Sequence, residues 1–446
     1  MGAALKNWTI AAAVAGALLF ASQLAEIPHR SALRGYDNTF NYLWLRSAMV
    51  DGDWDFRNDL DACDTLPDDY REAALALQPT DAGRIPNKYG VGWAVLTLPF
   101  YLIADAIVGI AHSLGVRSLE RDGFNWVYQV VIQLGHCALA LTALLLAWKT
   151  ISRWLGDARS AWMGVLSVWA ASSLLYYQTS NLSMSHAASF FLIATMAFAM
   201  ERATSYVTRD HNRLGWWLLA GAAFGLATVT RFQLAVFGIV VAWMALARDE
   251  GLSTTPGRAA RLVALAIGGL PFVALQMWAW HVVYGHWVVF GYGGEGDAFH
   301  WFAPELLKSL FSSWHGLFYW HPFLLVASAG AVAWMKARRG MSVAWGLAAA
   351  ATIYVNASWS CWWFASSFGS RAFDAALLPL MAGAAWLFVR AKGRWRTILC
   401  AVAISGAVWN GYVVLLYRSA AISRGDPVTW TEMISSASRL PESLRF

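Results

Sequence analysis

The chain has 446 residues, of which 58% are hydrophobic, 15% aromatic and only 13% charged. Soluble domains carry about 25% charged residues, so this composition excludes a water-soluble globular protein and makes the bilayer the solvent for most of the chain. The net charge of +6 does not mark a nucleic-acid binder, because the basic residues recur in short segments between apolar runs instead of pooling in one patch.

Residues 8–24 form the first apolar run, and the following Glu26-Ile27-Pro28-His29 is a poor cleavage site, so the run is expected to be a retained anchor. Composition then changes abruptly: residues 26–89 hold 12 of the chain's 27 acids. A loop this long between helices is usually functional or disordered. Its many aromatics and the apolar spacing of Phe40, Leu43 and Trp44 predict short ordered helices on the membrane surface. Residues 91–116 are apolar enough to span, yet a crossing there would invert every later segment. With Pro99, Asp105 and His112 inside it, the stretch is expected to form a re-entrant or interfacial helical pair on the outer side.

Five basic segments follow: Lys149/Arg153/Arg159, Arg202/Arg209/Arg213, Arg248/Arg258/Arg261, Lys336/Arg338/Arg339 and Arg390/Lys392/Arg394/Arg396. Between each successive pair there is room for two helices that go out and come back. Placing all five in the cytoplasm predicts spans near 124–148, 160–177, 186–200, 215–230, 232–247, 262–283, 316–335, 341–357, 371–389 and 397–417. The expected fold is an all-α polytopic bundle of about eleven transmembrane helices with a long outer first loop carrying interfacial helices. An N-terminal module, 1–283, contains the outer loop 26–123. A second helical module, 284–446, carries an outer aromatic loop at 358–371 and an outer tail.

Asp37, about a dozen residues past the anchor, is placed to take a proton from a hydroxyl at the outer interface. A helix N-cap, alone or together with that role, is the plainer account. Arg231 lies between two short apolar runs, where a guanidinium is expensive and marks a ligand site or a snorkelling helix end. Its fork of donors suits a lipid phosphate. The outer loop Trp359-Ser360-Cys361-Trp362-Trp363 to Ser370-Arg371 sets aromatic faces, which pack on sugars, beside a cation. An interfacial aromatic belt is the plainer account. His186, in Ser185-His186, can position phosphate or acceptor, or simply begin a helix, while His315 belongs to an aromatic stretch of open role. The acids Asp51, Asp53, Asp55, Asp59, Asp61 and Asp64 alternate as cation ligands do, but the closing bidentate Glu is missing, so no metal is expected and a solvated loop is. Cys63 and Cys361 both fall in outer loops, where an oxidising compartment permits a disulfide.

The order of several short stretches resembles the GT-C superfamily of membrane glycosyltransferases. These are Tyr36-Asp37, Tyr42 to Ser47, Asp51-Gly52-Asp53-Trp54-Asp55, Lys88-Tyr89-Gly90-Val91-Gly92, Ser185-His186, His315 to Pro322 and Ser367 to Arg371. Protein O-mannosyltransferases of this group carry an Asp-Glu pair where this chain has Asp37-Asn38, which argues against protein mannosylation. The lipid A aminoarabinose transferases carry a lysine after a Gly-rich span start, where this chain has Arg231. The resemblance implies an inverting transfer from a polyprenyl-phosphate-sugar donor to a glycan, lipid or protein acceptor, on the periplasmic face of a bacterial inner membrane and without a cofactor. Asp37 would be the base, Arg231, Arg371 and Lys88 would hold the donor phosphate, and Tyr42, Asp53, His186, His315, Trp362 and Trp363 would contact substrate. A transporter or flippase for a lipid-linked glycan, or a non-catalytic assembly factor, are the rival readings; no repeated halves support the first.

Overall fold

The computed structural model describes residues 16, 21, 22, 33, 35–63, 66–204, 213–247, 256–291 and 298–440. Most of the expected anchor at 8–24, together with Asp64, Arg209 and Arg248, lies outside the described residues. Among those described there is no strand, only one bridge between Phe299 and Trp359.

The acidic loop is folded as expected into short helices: α1 (Tyr36–Arg46), α2 (Phe56–Ala62) and α3 (Asp68–Leu75). They bury Phe40, Leu43, Trp44, Phe56 and Leu60 in one cluster that also takes up Trp93, Tyr101 and Tyr128. Next comes α4 (Gly92–Ser113), a single unbroken helix around Pro99, which corrects the helical pair expected over this stretch. Pro99, in the third turn, removes one i→i−4 hydrogen bond, and the apolar run on both sides carries the helix through it.

The bundle proper consists of α5 (Trp126–Leu155), α6 (Ala158–Ala170), α7 (Ser173–Thr179), α8 (Ser185–Thr204), α9 (Arg213–Thr230), α10 (Gly238–Leu246) and α11 (Arg258–Tyr284). It continues with α12 (Leu306–Phe311), α13 (Leu317–Trp320), α14 (Phe323–Ala337), α15 (Met341–Ser358), α16 (Leu377–Arg390) and α17 (Arg394–Arg418), and ends in α18 (Trp430–Ser435). Each span expected after residue 123 coincides with a helix or with two helices separated by a short break. Five described helices are long and apolar enough to cross a membrane: Gly92–Ser113, Trp126–Leu155, Arg258–Tyr284, Arg371–Arg390 and Arg394–Arg418. One continuous core runs from Cys137 to Ala403, so the packing does not divide at residue 283.

The described basic segments gather at one end of the bundle, where Arg153 pairs with Glu201 and Trp154 stacks on Trp334 at 5.5 Å. We call this the basic end. α4 starts at the opposite end, since the Cβ that Gly92 lacks would strike Thr230 at the last turn of α9. Along α4, Thr97 meets His136, Tyr101 meets Tyr128 and Asp105 bonds Tyr128, so the helix advances toward the start of α5. α4 therefore runs away from the basic end and covers only the first third of α5. Residues 136–155 of α5 are left to cross, about 28 Å at 1.5 Å per residue, which matches the hydrocarbon thickness.

α9 and α11 are the most closely apposed pair. A Cβ on Gly225 would lie 2.6 Å from the Cα of Gly269, and one on Gly221 would strike the Leu265 carbonyl. Two glycines four apart let backbones approach in lipid, where dispersion rather than water drives association. Gly225→Leu should push α11 from α9 and cost about 1–3 kcal/mol as overpacking, read as a lowered unfolding temperature in detergent with Gly257→Ala, which meets open space, as the unaffected control.

Candidate active site

Asp37 enters from the first turn of α1, which Gly35 starts with φ +88°. Thr39 ties that turn down by donating to the carbonyls of Leu33 and Gly35. One carboxylate oxygen of Asp37 accepts from Tyr89 Oη at 2.6 Å, and the other lies 3.1 Å from the Arg371 guanidinium. Asn38 points the other way and donates to Asn181 at 2.9 Å and Ser183 at 3.0 Å, sewing α1 to the approach of α8. A glutamate there has no N–H to give, which is a physical reason for Asn38 in place of the second acid.

Arg231 sits in an extended break (φ −149°, ψ 112°) between α9 and the 3-10 turn Phe232–Phe237. Its guanidinium is 2.5 Å from Nδ1 of His186. The same nitrogen is 2.8 Å from the Arg371 carbonyl, so it can accept from Arg231 or donate to that carbonyl, but not both with one proton. His186 is the second residue of α8, buried, with the Tyr177 ring 4.7 Å away. Arg371 opens the 3-10 turn Arg371–Ala376, and one turn later Asp374 reaches back. Asp374 is fully buried, accepts from Ser173 Oγ, and keeps its other oxygen 3.9 Å from His186 Nδ1. The result is a compact array of two guanidiniums, two carboxylates, an imidazole and a tyrosine hydroxyl.

The segment carrying Lys88 and Tyr89 is held there by glycine. A side chain at Gly90 would collide with the Val229 carbonyl, two residues before Arg231. Lys88 packs against Gly291 on this same segment. The structure thus brings Asp37, Arg231, Arg371 and His186 together, and Lys88 directly precedes the Tyr89 that bonds Asp37.

The other expected contacts lie elsewhere. Tyr42 is buried among Trp93, Tyr101 and Phe124 and donates to the Gly123 carbonyl. Asp53 is exposed and accepts from Ser47 Oγ and the Asp55 N–H, closing its own turn. Trp363 stacks on Trp314 at 4.2 Å with Trp362 edge-on to both, and His315 Nδ1 meets the Trp363 carbonyl at 2.8 Å. This aromatic platform adjoins the charged array through Ser370, which donates to the His315 carbonyl. Burial pushes the His315 imidazole down to about 4, so it is neutral beside Arg371. Cys63 is buried and Cys361 half-buried. Among the described residues no three His, Cys, Asp or Glu side chains cluster as metal ligands.

Two solved structures resemble this architecture across nearly the whole chain. ArnT from Cupriavidus metallidurans in the apo state matches with a TM-score of 0.53 at 14% identity, covering 99% of this chain and 73% of that one. The same protein bound to undecaprenyl phosphate matches with a TM-score of 0.52 at 15% identity, covering 98% and 75%. The chain has the GT-C fold. Residues 126–278 also match the family model for dolichyl-phosphate-mannose-protein mannosyltransferase. A comparison with curated proteins returns no match. The shared architecture and the five described helices long and apolar enough to cross a membrane fit a multi-pass membrane protein.

Asp374 escaped sequence reasoning. An acid three residues after Arg371 inside an apolar stretch is the available signal, since an ionisable residue in a span needs a partner. The acidic loop has a different logic. Arg46, nearly buried, pairs with Asp51 and, at 2.8 Å, with Asp59, which is itself fully buried. Burial pushes Asp59 up to about 6, against the pull of Arg46. Asp59→Ala should strand the guanidinium and destabilise the fold by about 3 kcal/mol. Because the folded carboxyl binds its proton more tightly than the unfolded one, the stability it lends is lost as pH rises from 3.8 through about 6. Wild type should therefore lose unfolding temperature relative to Asp59→Asn over that window and run parallel to it above.

Proposed function

We propose that this protein is an inverting glycosyltransferase that moves a hexosyl or pentosyl group from a polyprenyl-phosphate carrier to an acceptor hydroxyl at the site end of the bundle. The basic end faces the cytoplasm in this reading, and the site opens to the periplasm of a bacterial inner membrane. The observation that carries it is the convergence of Asp37 with the guanidiniums of Arg371 and Arg231 around His186. Carrier-linked chemistry needs cations where phosphate charge develops and a base within hydrogen-bond reach of the acceptor. One array supplies both. The ArnT structure bound to undecaprenyl phosphate and the dolichyl-phosphate-mannose family model support this donor class.

In the proposed step the acceptor oxygen attacks the anomeric carbon, and the bond from that carbon to the phosphate oxygen breaks with its electrons. The acceptor's proton passes to Asp37, and the configuration inverts. Arg371 and Arg231, with Lys88 nearby, neutralise the phosphate as it leaves, so no general acid is required. Arg371 holds Asp37 at 3.1 Å in this structure. A donor phosphate arriving at Arg371 draws the guanidinium away and leaves the carboxylate with Tyr89, free for the acceptor. Asp374, held by Ser173, lies behind His186, which sits between Arg231 and the Arg371 carbonyl. The acceptor is a hydroxyl of a glycan, lipid or protein, and the aromatic platform of Trp314, Trp362 and Trp363 is the surface on which its apolar face would rest.

Asp37→Asn should lower transfer by at least about 100-fold while carrier-phosphate binding persists or tightens, because Arg371 loses a competitor. Arg231→Ala and Arg371→Ala should weaken donor binding, seen as a raised KM. Transfer by vesicles containing purified protein and a radiolabelled polyprenyl-phosphate sugar measures each. Unchanged turnover in Asp37→Asn would remove the base from the mechanism, and no transfer by wild type from any carrier-linked sugar would return the protein to the transporters and assembly factors.

A further inference from the structure

A second site lies at the opposite end of the molecule from Asp37. α14 and α16 are pressed together, since a Cβ on Gly330 or Gly383 would run into the partner backbone. α17 meets α14 where Gly406 faces Phe323, at 2.7 Å from the Cβ that glycine lacks. Phe323 begins α14 and Arg394 begins α17, so from that contact the two antiparallel helices diverge toward the basic end. The wedge between them is a groove of about 530 Å³ lined by Val326, Leu387, Ile398, Leu399 and Val402, with Arg390, Lys392 and Trp395 at its basic end.

We propose that this groove is a binding site for an anionic glycerophospholipid of the leaflet at the basic end, with an acyl chain between α14 and α17 and the phosphate on Arg390 and Lys392. Three features commit the site to that occupant. The walls are aliphatic over the length that lies within the hydrocarbon, and nothing polar lines them until the cations. The cations are exposed and oriented: Arg390 lies over the Trp386 ring with its guanidinium carbon 4.6 Å from the centroid, and Trp395 is 61% exposed beside them. Among the described residues neither cation is in an ion pair, whereas Arg153 at the same end is paired with Glu201. Basic pockets between spanning helices on the cytoplasmic side bind anionic headgroups, and a Trp at that depth serves the interface. A zwitterionic lipid offers the same tail but cancels the charge that the two cations read. The site is independent of the proposed sugar transfer.

The test is native mass spectrometry of the full chain released from mixed vesicles of dioleoyl phosphatidylglycerol and dioleoyl phosphatidylcholine. Wild type should retain one phosphatidylglycerol in preference to phosphatidylcholine. Arg390→Gln with Lys392→Gln should cut that preference by about fivefold or more for each cation removed. Leu399→Trp, which fills the groove and leaves the charges, should lower retention of the bound lipid while the protein stays monodisperse. Arg338→Gln with Arg339→Gln, at the same end but outside the groove, should retain the preference. Equal retention of both lipids by wild type, an unchanged preference in the double variant, or unchanged retention in Leu399→Trp would each overturn the site. An equal loss in the Arg338/Arg339 variant would overturn it too, by showing diffuse attraction to the basic end.

Discussion

The ion pair between Asp37 and Arg371 is the constraint around which the site end is organised. Each group is more than two-thirds enclosed, and a charge withdrawn from water costs several kcal/mol unless a partner repays it. Arg371 cannot be held there without a carboxylate, and the one it meets comes from the other extreme of the chain. Arg231 lies a few ångströms away against His186, and the buried Asp374 carboxyl stands on the other side of that imidazole. Both guanidiniums then rest on groups brought from distant parts of the chain, Arg371 on Asp37 and Arg231 on His186. Such an array is poised. A phosphate dianion or diester entering it must displace a carboxylate from a guanidinium, and the more exposed carboxylate is Asp37.

Such an array works only if three distant segments arrive within tenths of an ångström, and the glycines make that possible. Gly90 and Gly92 let the Lys88–Tyr89 segment lie directly on the last turn of α9, which places the Tyr89 hydroxyl against Asp37 and the backbone against Arg231. Gly221 and Gly225 draw α11 onto α9, and Gln276 from α11 accepts from the Val91 N–H beneath the same segment at 2.8 Å. Close backbone packing in the bundle thus becomes positional accuracy for side chains at its end.

Much of this was readable from residue order. Apolar runs separated by basic segments encode helices that alternate in direction, because charge and hydropathy act locally, and the helices from α5 to α17 follow them. Asp37, Arg231 and His186 were likewise visible as polar residues in places where a membrane protein rarely spends them. What the sequence hid depends on distance. Tyr42 and Asp53 look like site residues by their company, but Tyr42 turns inward to Gly123 and Asp53 serves its own loop. In the aromatic loop Trp363 stacks on Trp314 with Trp362 edge-on to both, a packing that no spacing announces. Asp374 was missed because its meaning lies in Ser173 and His186, some 200 residues away in the chain, and no periodicity announces such a meeting.

The course of α4 shows how the two kinds of information combine. Hydropathy alone makes Gly92–Ser113 a spanning helix, and charge alone forbids it. The contacts decide between them. A helix that leaves the end of α9 and climbs from His136 to Tyr128 of α5 is moving away from the basic end, whatever its composition. Its exposed Ile103, Ile107, Ile110 and Leu114 then need apolar cover other than a full crossing, and the acyl boundary at the site end provides it. α4 becomes the support on which the outer helices stand. Tyr42 and Tyr101 lock it to α1, and α1 carries Asp37. The apolar residues that make α4 look like a membrane span are the means by which Asp37 is held at the height of Arg371.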